Sequence, residues 1–322
     1  MSDPPNVAAI FVTHNSAATI GDAIASVAGA LRNLEIVVVD NASADTSREI
    51  VASSGAKLIA RDRNDGFGRA CNAGAEQAAG RHLFFLNPDV RIASADLDAL
   101  ERLLGREPFG LVSATFVLPD GRRYDGLRSE TGLVREVASH TLGVLRPRGL
   151  PPGPPRSDGD RRWIGGAAFL AKRDEFLRLG GFDPRFFLYH EDRELSARYR
   201  SAGLPLSSTA ALVVAHRGGA SSDDDDLRVE PAAWELLSWL EYVHRRHGSV
   251  AARRAASITW LTLGVFASVL SRSPARGPGG PRRHRKARQI ARILDRLPTI
   301  ADEAAAADFV PNAVGLVRRR TS

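Results

Sequence analysis

Three residues that follow a strongly apolar segment are the first candidates for chemistry. The segment HLFFL (82–86) leads directly into Asn87-Pro88-Asp89. Such an apolar run predicts a buried β-strand, and the proline after it cannot donate a backbone hydrogen bond to a sheet. Asn-Pro-Asp is typical of turns. It also supplies amide and carboxylate oxygens, and Mg²⁺ binds such oxygens together with substrate phosphates. Both a turn and a metal site therefore fit this motif.

A further carboxylate stands at the end of a second apolar segment. EIVVVD (35–40) ends in Asp40, and Asn41 follows it. Asp40 either begins the turn and helix cap that come next or accepts hydrogen bonds from a bound nucleoside. These two interpretations stay open at this point.

Two more positions could take part in acid–base or ligand chemistry. Glu191 and Asp192 come directly before an amphipathic segment, after the aromatic run at 186–189. Acidic residues in a first helical turn can simply complement the helix dipole. If the aromatic run packs against these carboxylates, it fixes their orientation for work as a general base. His216 ends the apolar segment at 211–216 and is either structural or a ligand.

The elements that position these residues follow an alternating pattern. Helical segments separate the apolar strands predicted at 7–13, 35–40, 57–60 and 82–87. This order predicts an α/β fold with a mostly parallel sheet flanked by helices, and such sheets bind ligands beyond the carboxyl ends of their strands. The glycines near 66–74 do not match a dinucleotide fingerprint, because a polar stretch separates them from the strand. Further along, 163–173 reads as one strand with a central glycine pair, and 119–162 as a long flexible loop.

The C-terminal part differs in charge from the rest of the chain. Residues 228–322 hold 17 basic and 7 acidic residues, hence +10, which leaves −3 for the remainder of a chain whose total is +7. We predict a domain at 1–226 and a basic helical region at 227–322, with helices at 231–271 and 283–308. A basic tail suggests contact with an anionic surface. The single cysteine and the absence of a signal-peptide pattern lead us to expect a cytoplasmic protein.

Four motifs, taken in order, resemble those of a known family. They are VVVDNASADTS, NDGFGRACNAGAEQAAGRHLFFLNPDV, GGAAFLAKRDEFLRLGGFDPRFFLYHEDRELSARYRSAG and AHRGGAS. Together they make the stretch 7–221 similar to family 2 glycosyltransferases, in the branch that contains bacterial rhamnosyltransferases. The resemblance implies a GT-A fold, a nucleotide-sugar donor, Mg²⁺ or Mn²⁺, and inversion at the anomeric carbon.

The resemblance also implies roles for individual residues. Asp192 would be the catalytic base with Glu191 beside it, and Asp89 would bind the metal with His216 as a further contact. The remaining positions would bind the nucleotide sugar: Thr13, Asn15, Asp40, Asn64, Gly66, Asn72, Asn87, Gly165 and Gly166. Two departures stand out, because Asn87 replaces the first acid of the family's Asp-x-Asp and His14 stands where an aromatic residue is common.

The function expected on this basis is transfer of a sugar to a cell-envelope glycan or a polyprenyl-linked saccharide. The expected donor is dTDP-rhamnose, with UDP-galactofuranose or a GDP-sugar as the alternative. A non-enzymatic basic protein at a membrane or nucleic acid would leave the strand-end acids unexplained, so we expect no nucleic-acid partner. The apolar segment Ile258–Leu270 is too short to span a bilayer. It either lies at the membrane surface or packs in a helical hairpin or homo-oligomer interface.

Overall fold

The computed structural model describes residues 6–142, 162–216, 229–272, 280–310, 312–314 and 316–317, without the side chains of 139–142, 270 and 280–286. The chain divides into two compact units. The first, here the sheet unit, comprises Met1–Glu130, Ser157–Pro184 and Glu191–Ala220. The second, here the helical unit, comprises Thr131–Arg156, Arg185–His190 and Ser221–Ser322. The predicted division at 226 therefore differs from the observed one mainly by two short segments that join the helical unit.

The first half of the sheet unit alternates strands and helices, as the sequence predicts. Its elements are β1 Val7–Thr13, α1 Ile20–Ala30, β2 Leu34–Asn41, α2 Ser47–Ser53, β3 Lys57–Arg61, α3 Phe67–Gln77 and β4 His82–Leu86. Strand β1 lies between β2 and β4 and is parallel to both, and β2 is parallel to β3. All residues of β1 and β4 are buried, because helices cover both faces of a parallel sheet.

The second half of the sheet unit adds strands of both directions. Its elements are β5 Val90–Ala95, α4 Leu97–Leu104, β6 Leu111–Val117, β7 Arg123–Asp125, β8 Leu127–Ser129, β9 Arg162–Ile164, β10 Ala168–Lys172, α6 Arg173–Arg178, α7 Glu191–Ser201 and β11 Leu206–His216. The main sheet has the order β3-β2-β1-β4-β10-β6-β11-β5, with β7 beside β6. Strand β10 is antiparallel to β4 and β6, and β11 is antiparallel to β5.

Two predictions about this half need correction. The segment 163–173 is not one strand, because the chain leaves β9 at Gly165-Gly166 and starts β10 at Ala168. Strand β9 pairs with β8 in a separate two-stranded sheet, whereas β10 joins the main sheet. The stretch 119–162, expected as a long loop, contains β7, β8 and a helix, α5 Leu133–Leu142, in its described part. Residues 143–161 lie outside the described residues.

Two apolar layers hold the helices on the sheet. On one side Ile20, Ile24 and Val27 of α1 join a cluster that includes Phe11 and Phe84. On the other side small residues of α3 join a cluster with Ile10 and Phe85. A side chain at Gly74 of α3 would place its Cβ 2.7 Å from Cγ2 of Ile10. Helix α3 can therefore approach the sheet closely only because this position is glycine.

The helical unit is built from α5 and two long helices, α8 Val229–Arg272 and α9 Gly280–Ala306, close to the predicted ranges. Gly248, at φ 82°, interrupts the regular helix within α8. Trp239 and Leu240 of α8 are fully buried in one cluster with Leu297 and Ile300 of α9. Among the helices of the described residues, none combines the length and the apolar character needed to cross a membrane.

Candidate active site at the carboxyl edge of the sheet

The carboxyl ends of β1 and β2 bring the first predicted residues together. Thr13 stands opposite Asp40 in the parallel register, and both side chains are fully buried. The Thr13 hydroxyl donates a hydrogen bond to Oδ1 of Asp40 at 3.0 Å. Oδ2 of Asp40 accepts from the Ser43 backbone N–H at 3.0 Å and from Nε of Arg48 at 2.6 Å.

These donors determine the ionisation of Asp40. Burial alone would raise its pKa, but the hydrogen bonds from Ser43, Arg48 and Thr13 outweigh burial and hold the pKa below its ordinary value. Asp40 is therefore a carboxylate whose two oxygens already accept bonds from protein groups. The predicted contact with a nucleoside stays a prediction, and Arg48 is a partner that the sequence analysis missed. Its position in the first turn of the helix after Asp40 was the available signal.

Three other predicted nucleotide-sugar residues stabilise the loops at this edge. Asn15 has a φ of 53°, and its backbone N–H donates to the Ser43 hydroxyl at 2.9 Å. Its Oδ1 accepts from the Ala44 N–H at 2.8 Å. Oδ1 of Asn64 accepts from the Gly66 N–H at 3.0 Å, and Gly66 has a φ of 81° that favours glycine. The loops after β1, β2 and β3 thus have defined conformations at the strand ends.

Asn72 has a role that the sequence did not suggest. It lies on α3, where its Nδ2 donates to the Phe182 carbonyl and its Oδ1 accepts from the Phe182 N–H, both at 2.8 Å. A Cβ at Gly181 would lie 2.4 Å from Oδ1 of Asn72. The amide therefore fixes the segment that follows α6, and its predicted contact with the nucleotide sugar remains untested.

The predicted metal residues meet at the end of β4. Asp89 lies immediately before β5, and the antiparallel pairing of β5 with β11 places His216 opposite Val90. Nε2 of His216 is 3.1 Å from Oδ1 of Asp89, with both side chains partly exposed. The backbone N–H of Asn87 donates to the carbonyl of Ala167, the residue before β10, at 2.9 Å, and this bond fixes the turn that carries Asp89.

This pair fits a divalent cation that the substrate helps to hold. Within the described residues no group of three or more His, Cys, Asp or Glu side chains could hold a metal. A carboxylate and an imidazole alone leave coordination positions open, which donor phosphates could complete. Imidazole is a ligand of transition metals more than of Mg²⁺, so the two side chains suit Mn²⁺ better.

The predicted catalytic acids start helix α7. Asp192 is partly buried, and its Oδ2 accepts from the Gly166 N–H at 3.0 Å while its Oδ1 accepts from the Arg193 N–H at 2.8 Å. Burial raises the pKa of Asp192, although these two hydrogen bonds and the nearby Arg128 oppose the effect. Burial and the adjacent Asp192 raise the pKa of Glu191 to about 8. Glu191 is only 5% exposed, and its Oε2 has no hydrogen-bond partner among the residues that the structure describes.

One residue of the aromatic run before these acids, Phe187, packs within the helical unit, and the predicted role of the run as a whole stays a prediction. Phe187 stacks on Trp234 with ring centroids 4.3 Å apart, and it meets Phe309 edge-on at 5.3 Å. All three rings belong to the helical unit, so Phe187 stabilises that unit. The backbone N–H groups of Gly166 and Arg193 fix the orientation of Asp192.

The glycine pair beside the base has room for a methyl group at either position. A Cβ at Gly166 would lie 3.5 Å from Oδ2 of Asp192, and one at Gly165 would lie 3.5 Å from the Gly126 carbonyl. These are ordinary contact distances, so packing within the protein does not require glycine at either position. The space fits the predicted close approach of a substrate to the backbone.

Comparisons with known proteins agree with this architecture. Residues 8–163 match the family model described as "Glycosyl transferase family 2". The chain is 28% identical over 211 residues to the N-acetylglucosaminyl-diphospho-decaprenol L-rhamnosyltransferase of Mycobacterium tuberculosis (strain ATCC 25618 / H37Rv). The aligned region covers 58% of this chain and 67% of the relative. It is 25% identical over 137 residues to the rhamnosyltransferase WbbL of Escherichia coli (strain K12), covering 42% of this chain and 52% of the relative.

A solved structure shows the same fold at low sequence identity. The mannosyltransferase PcManGT from Pyrobaculum calidifontis, in complex with GDP-Man and Mn²⁺, superposes with a TM-score of 0.51 at 15% identity. The match covers 92% of this chain and 88% of that one. The predicted GT-A fold is thereby confirmed. Residues 8–163 thus match glycosyltransferase family 2, the two relatives are rhamnosyltransferases, and the chain is a nucleotide-sugar-dependent glycosyltransferase.

Proposed function

We propose that the protein is an inverting rhamnosyltransferase that moves L-rhamnose from dTDP-rhamnose to a hydroxyl of a polyprenyl-linked saccharide. The observation that carries the chemistry is the position of Asp192. Its carboxylate is held by the Gly166 and Arg193 N–H groups, beside a glycine pair that leaves room for substrate. The sugar and the acceptor are suggested by the names of the two relatives.

In the proposed reaction, the acceptor hydroxyl lies against Asp192. As its oxygen attacks the anomeric carbon, the proton passes to the carboxylate and the bond to the nucleoside diphosphate breaks. A single displacement of this kind inverts the anomeric centre and needs no covalent enzyme intermediate. Each Asp192 oxygen accepts one backbone hydrogen bond, which fixes the carboxylate and leaves lone pairs for the proton. The raised pKa of Asp192 makes it a stronger base than an exposed aspartate.

Glu191 has a different role in the proposed reaction. With a pKa of about 8 it carries a proton at neutral pH. A neutral neighbour lets Asp192 stay ionised, because two adjacent buried carboxylates repel each other when both are charged. Glu191 therefore supports the base rather than replacing it.

Asp89 and His216 would hold the divalent cation together with the donor's diphosphate. A bound cation supplies charge neutralisation for the departing nucleoside diphosphate. Nε2 of His216 and Oδ1 of Asp89 lie 3.1 Å apart, so both side chains reach one point at the end of β4. Asn87, beside them, remains a proposed contact of the ribose or of a metal-bound water.

Donor choice is the direct test of the proposed function. Purified full-length protein is incubated with Mn²⁺, a short-chain N-acetylglucosaminyl diphospholipid, and one donor at a time. We expect transfer from dTDP-rhamnose and at least tenfold slower transfer from UDP-galactofuranose and GDP-mannose. Transfer from only one of the other donors would exclude the proposed sugar while leaving the enzyme class intact.

The metal proposal has a readout that does not depend on turnover. Binding of dTDP to the protein, measured by calorimetry, should strengthen at least tenfold when Mn²⁺ is added, and less when Mg²⁺ is added. Asp89→Ala should abolish this gain, whereas Asp96→Ala, which only removes the N-cap of α4, should keep it. Equal dTDP binding with and without metal in the wild type would contradict the proposal.

We also propose that the helical unit contacts an anionic membrane surface on the cytoplasmic side. Ala252, Ala255 and Leu263 of α8 are buried, but the same helix exposes a second apolar face. That face, here the apolar stripe, consists of Ile258, Leu261, Val265 and Val269, each at least 50% exposed. Their spacing of three or four residues places them on one side of a helix.

The charge around the apolar stripe supports a membrane as its partner. Residues 244–272 include five arginines and no acidic residue. Arg253, Arg254 and Arg272 are exposed on the same helix. Near an anionic leaflet each such charge contributes about 1 kcal/mol to binding. The basic cluster Arg282, Arg283, Arg285, Lys286 and Arg288 adds further positive charge, and of these side chains only that of Arg288, which is exposed, is described.

Co-sedimentation with vesicles tests this contact. Binding should require anionic lipid and weaken with salt. Leu261→Ser combined with Val265→Ser should reduce it at least fivefold. Val134→Ser is the matched control, because Val134 is an 85% exposed valine on α5 of the same unit. A protein that stays in the supernatant at every lipid composition, or that dimerises through the stripe, would contradict the membrane contact.

A further inference from the structure

A two-stranded sheet outside the main sheet places an arginine beside the proposed base. Strand β8 pairs with β9 so that Arg128 stands opposite Trp163. Two contacts tie this sheet to α7, the helix that begins with Glu191 and Asp192. The Ile164 N–H donates to the Ser196 hydroxyl at 3.0 Å, and Arg200 forms an ion pair at 2.8 Å with the buried Glu130.

Trp163 provides a surface for two guanidinium groups. The Cζ atoms of Arg128 and Arg193 each lie 5.5 Å from the centroid of the Trp163 ring. Arg193 is buried, whereas Arg128 is exposed. A guanidinium held over an aromatic ring keeps its in-plane N–H donors available, and those donors match the oxygens of a phosphate. Among the described residues, no carboxylate forms an ion pair with Arg128.

The glycine pair links this arginine to the base. A Cβ built on Gly165 would lie 3.6 Å from Nε of Arg128, and one on Gly166 would lie 3.5 Å from Oδ2 of Asp192. The guanidinium and the carboxylate therefore face consecutive residues of one short segment. An acceptor whose hydroxyl reaches Asp192 places its neighbouring groups within reach of Arg128.

We propose that Arg128, positioned by Trp163 beside Asp192, binds a phosphate group carried by the acceptor. This inference rests on the proposed function, because it assumes that the acceptor hydroxyl lies at Asp192. The donor's own diphosphate is assigned to Asp89 and His216, so Arg128 serves the second substrate. The site selects acceptors in which a phosphate or diphosphate links the sugar to its lipid.

Paired acceptors test this site. One is an N-acetylglucosaminyl diphosphate with a short isoprenoid chain, and the other is a neutral alkyl N-acetylglucosaminide of similar length. The wild type should favour the diphosphate acceptor at least tenfold in kcat/KM. Arg128→Gln should raise the KM for that acceptor by about 10- to 100-fold, as expected for a lost charge-assisted hydrogen bond, a larger effect than the change in kcat that follows from the pKa of Asp192. The KM for the neutral acceptor and the affinity for dTDP should stay unchanged.

Two further variants separate binding from structural damage. Arg128→Lys should retain part of the preference because it keeps the charge. Arg106→Gln removes the same charge from an exposed position before β6, at the opposite end of the strand from the site, and should change nothing. An equal loss of kcat/KM with both acceptors in Arg128→Gln, or weaker binding of dTDP by this variant, would overturn the inference. A wild type with equal kcat/KM for the two acceptors would overturn it as well. If neither acceptor is used with any donor, the proposed function itself fails and the inference falls with it.

Discussion

The sheet unit contains two buried acidic regions that look alike in the sequence but have opposite electrostatics. Asp40 ends a strand and accepts bonds from Thr13, Ser43 and Arg48, which keep its pKa low. Glu191 and Asp192 begin a helix, where burial raises the pKa of both. The only hydrogen bonds described for Asp192 come from backbone N–H groups.

The difference between these regions is a difference in what each carboxylate can do. The guanidinium of Arg48 stabilises the charged form of Asp40. Asp40 therefore has a low affinity for protons, and it holds a strand end in place. At α7 burial raises the pKa of both Glu191 and Asp192, so Asp192 keeps the affinity for protons that a general base requires. The first region therefore holds a strand end, while its contact with a nucleoside stays a prediction, and the second region is proposed to transfer a proton.

The largest expected effect is on turnover at the second region. Asp192→Asn keeps the shape of the side chain and removes the base, so kcat should fall by about 10²- to 10⁴-fold. The variant should keep its affinity for dTDP with Mn²⁺ and its melting temperature within a few degrees. Near-normal turnover would remove Asp192 from the mechanism and erase the contrast with Asp40.

The next effect is on the pH dependence of stability. Because the pKa of Glu191 is near 8 in the folded chain and near 4.5 when exposed, the folded state holds its proton more tightly. Stability should therefore fall as pH rises from about 4.5 to 8. Glu191→Gln should remove this loss and be more stable than wild type at pH 8, by on the order of a few kcal/mol, but not at pH 4.5. Thermal melts at both pH values measure this difference in stability. If the stabilities of Glu191→Gln and the wild type change equally with pH, the raised pKa of Glu191 is contradicted.

At the first region the pH dependence of stability has the opposite sign. Arg48→Gln removes a charged donor from buried Asp40 and should cost about 1.5–3 kcal/mol at pH 7, measured by urea unfolding. The lowered pKa of Asp40 contributes stability above its ordinary value, so the cost should shrink as pH falls and the carboxylate is protonated. Arg63→Gln, at a guanidinium 75% exposed beside Asp65, is the control and should cost less than about 1 kcal/mol. Equal costs for the two variants would show that Arg48 acts only as a surface residue.

The smallest expected effect on stability is at Gly166, where a substitution tests whether glycine makes room for substrate or is needed for packing. Gly166→Ala adds a methyl group at ordinary contact distance from Asp192, so the free energy of unfolding should change by less than about 1 kcal/mol. Transfer should still fall at least tenfold, because the added methyl occupies the space proposed for substrate. Normal kcat/KM in a stable variant would place the substrate elsewhere.

The sequence predicted the first half of the fold well, for a physical reason. Strands β1, β2 and β4 are apolar runs that end in polar residues, and the alternation with helices determines that their carboxyl ends share one edge. Thr13 and Asp40 meet as that rule requires. The resemblance predicted that Asp89 and His216 contact the same metal ion, and the pairing of β5 with β11 brings them within 3.1 Å.

Other features depend on contacts between distant segments, which local patterns do not reveal. Nothing in WIGGAAFLAKR indicates that the chain changes sheets at its glycine pair. The bond between Asn72 and Phe182, the ion pair of Arg48 with Asp40 and the stacking of Arg128 on Trp163 all join separate elements. The pKa of Glu191 likewise follows from burial, which the sequence alone does not give.

The configuration of the product tests the central claim most directly. The wild type is incubated with dTDP-β-L-rhamnose, Mn²⁺ and the short-chain diphospholipid acceptor, and the new linkage is assigned by NMR. We expect an α-L-rhamnoside, formed by single displacement with Asp192 as base, and product formation about 10²- to 10⁴-fold slower with Asp192→Asn. A β-linked product would require two displacements and a covalent intermediate, and would contradict the mechanism proposed for this site.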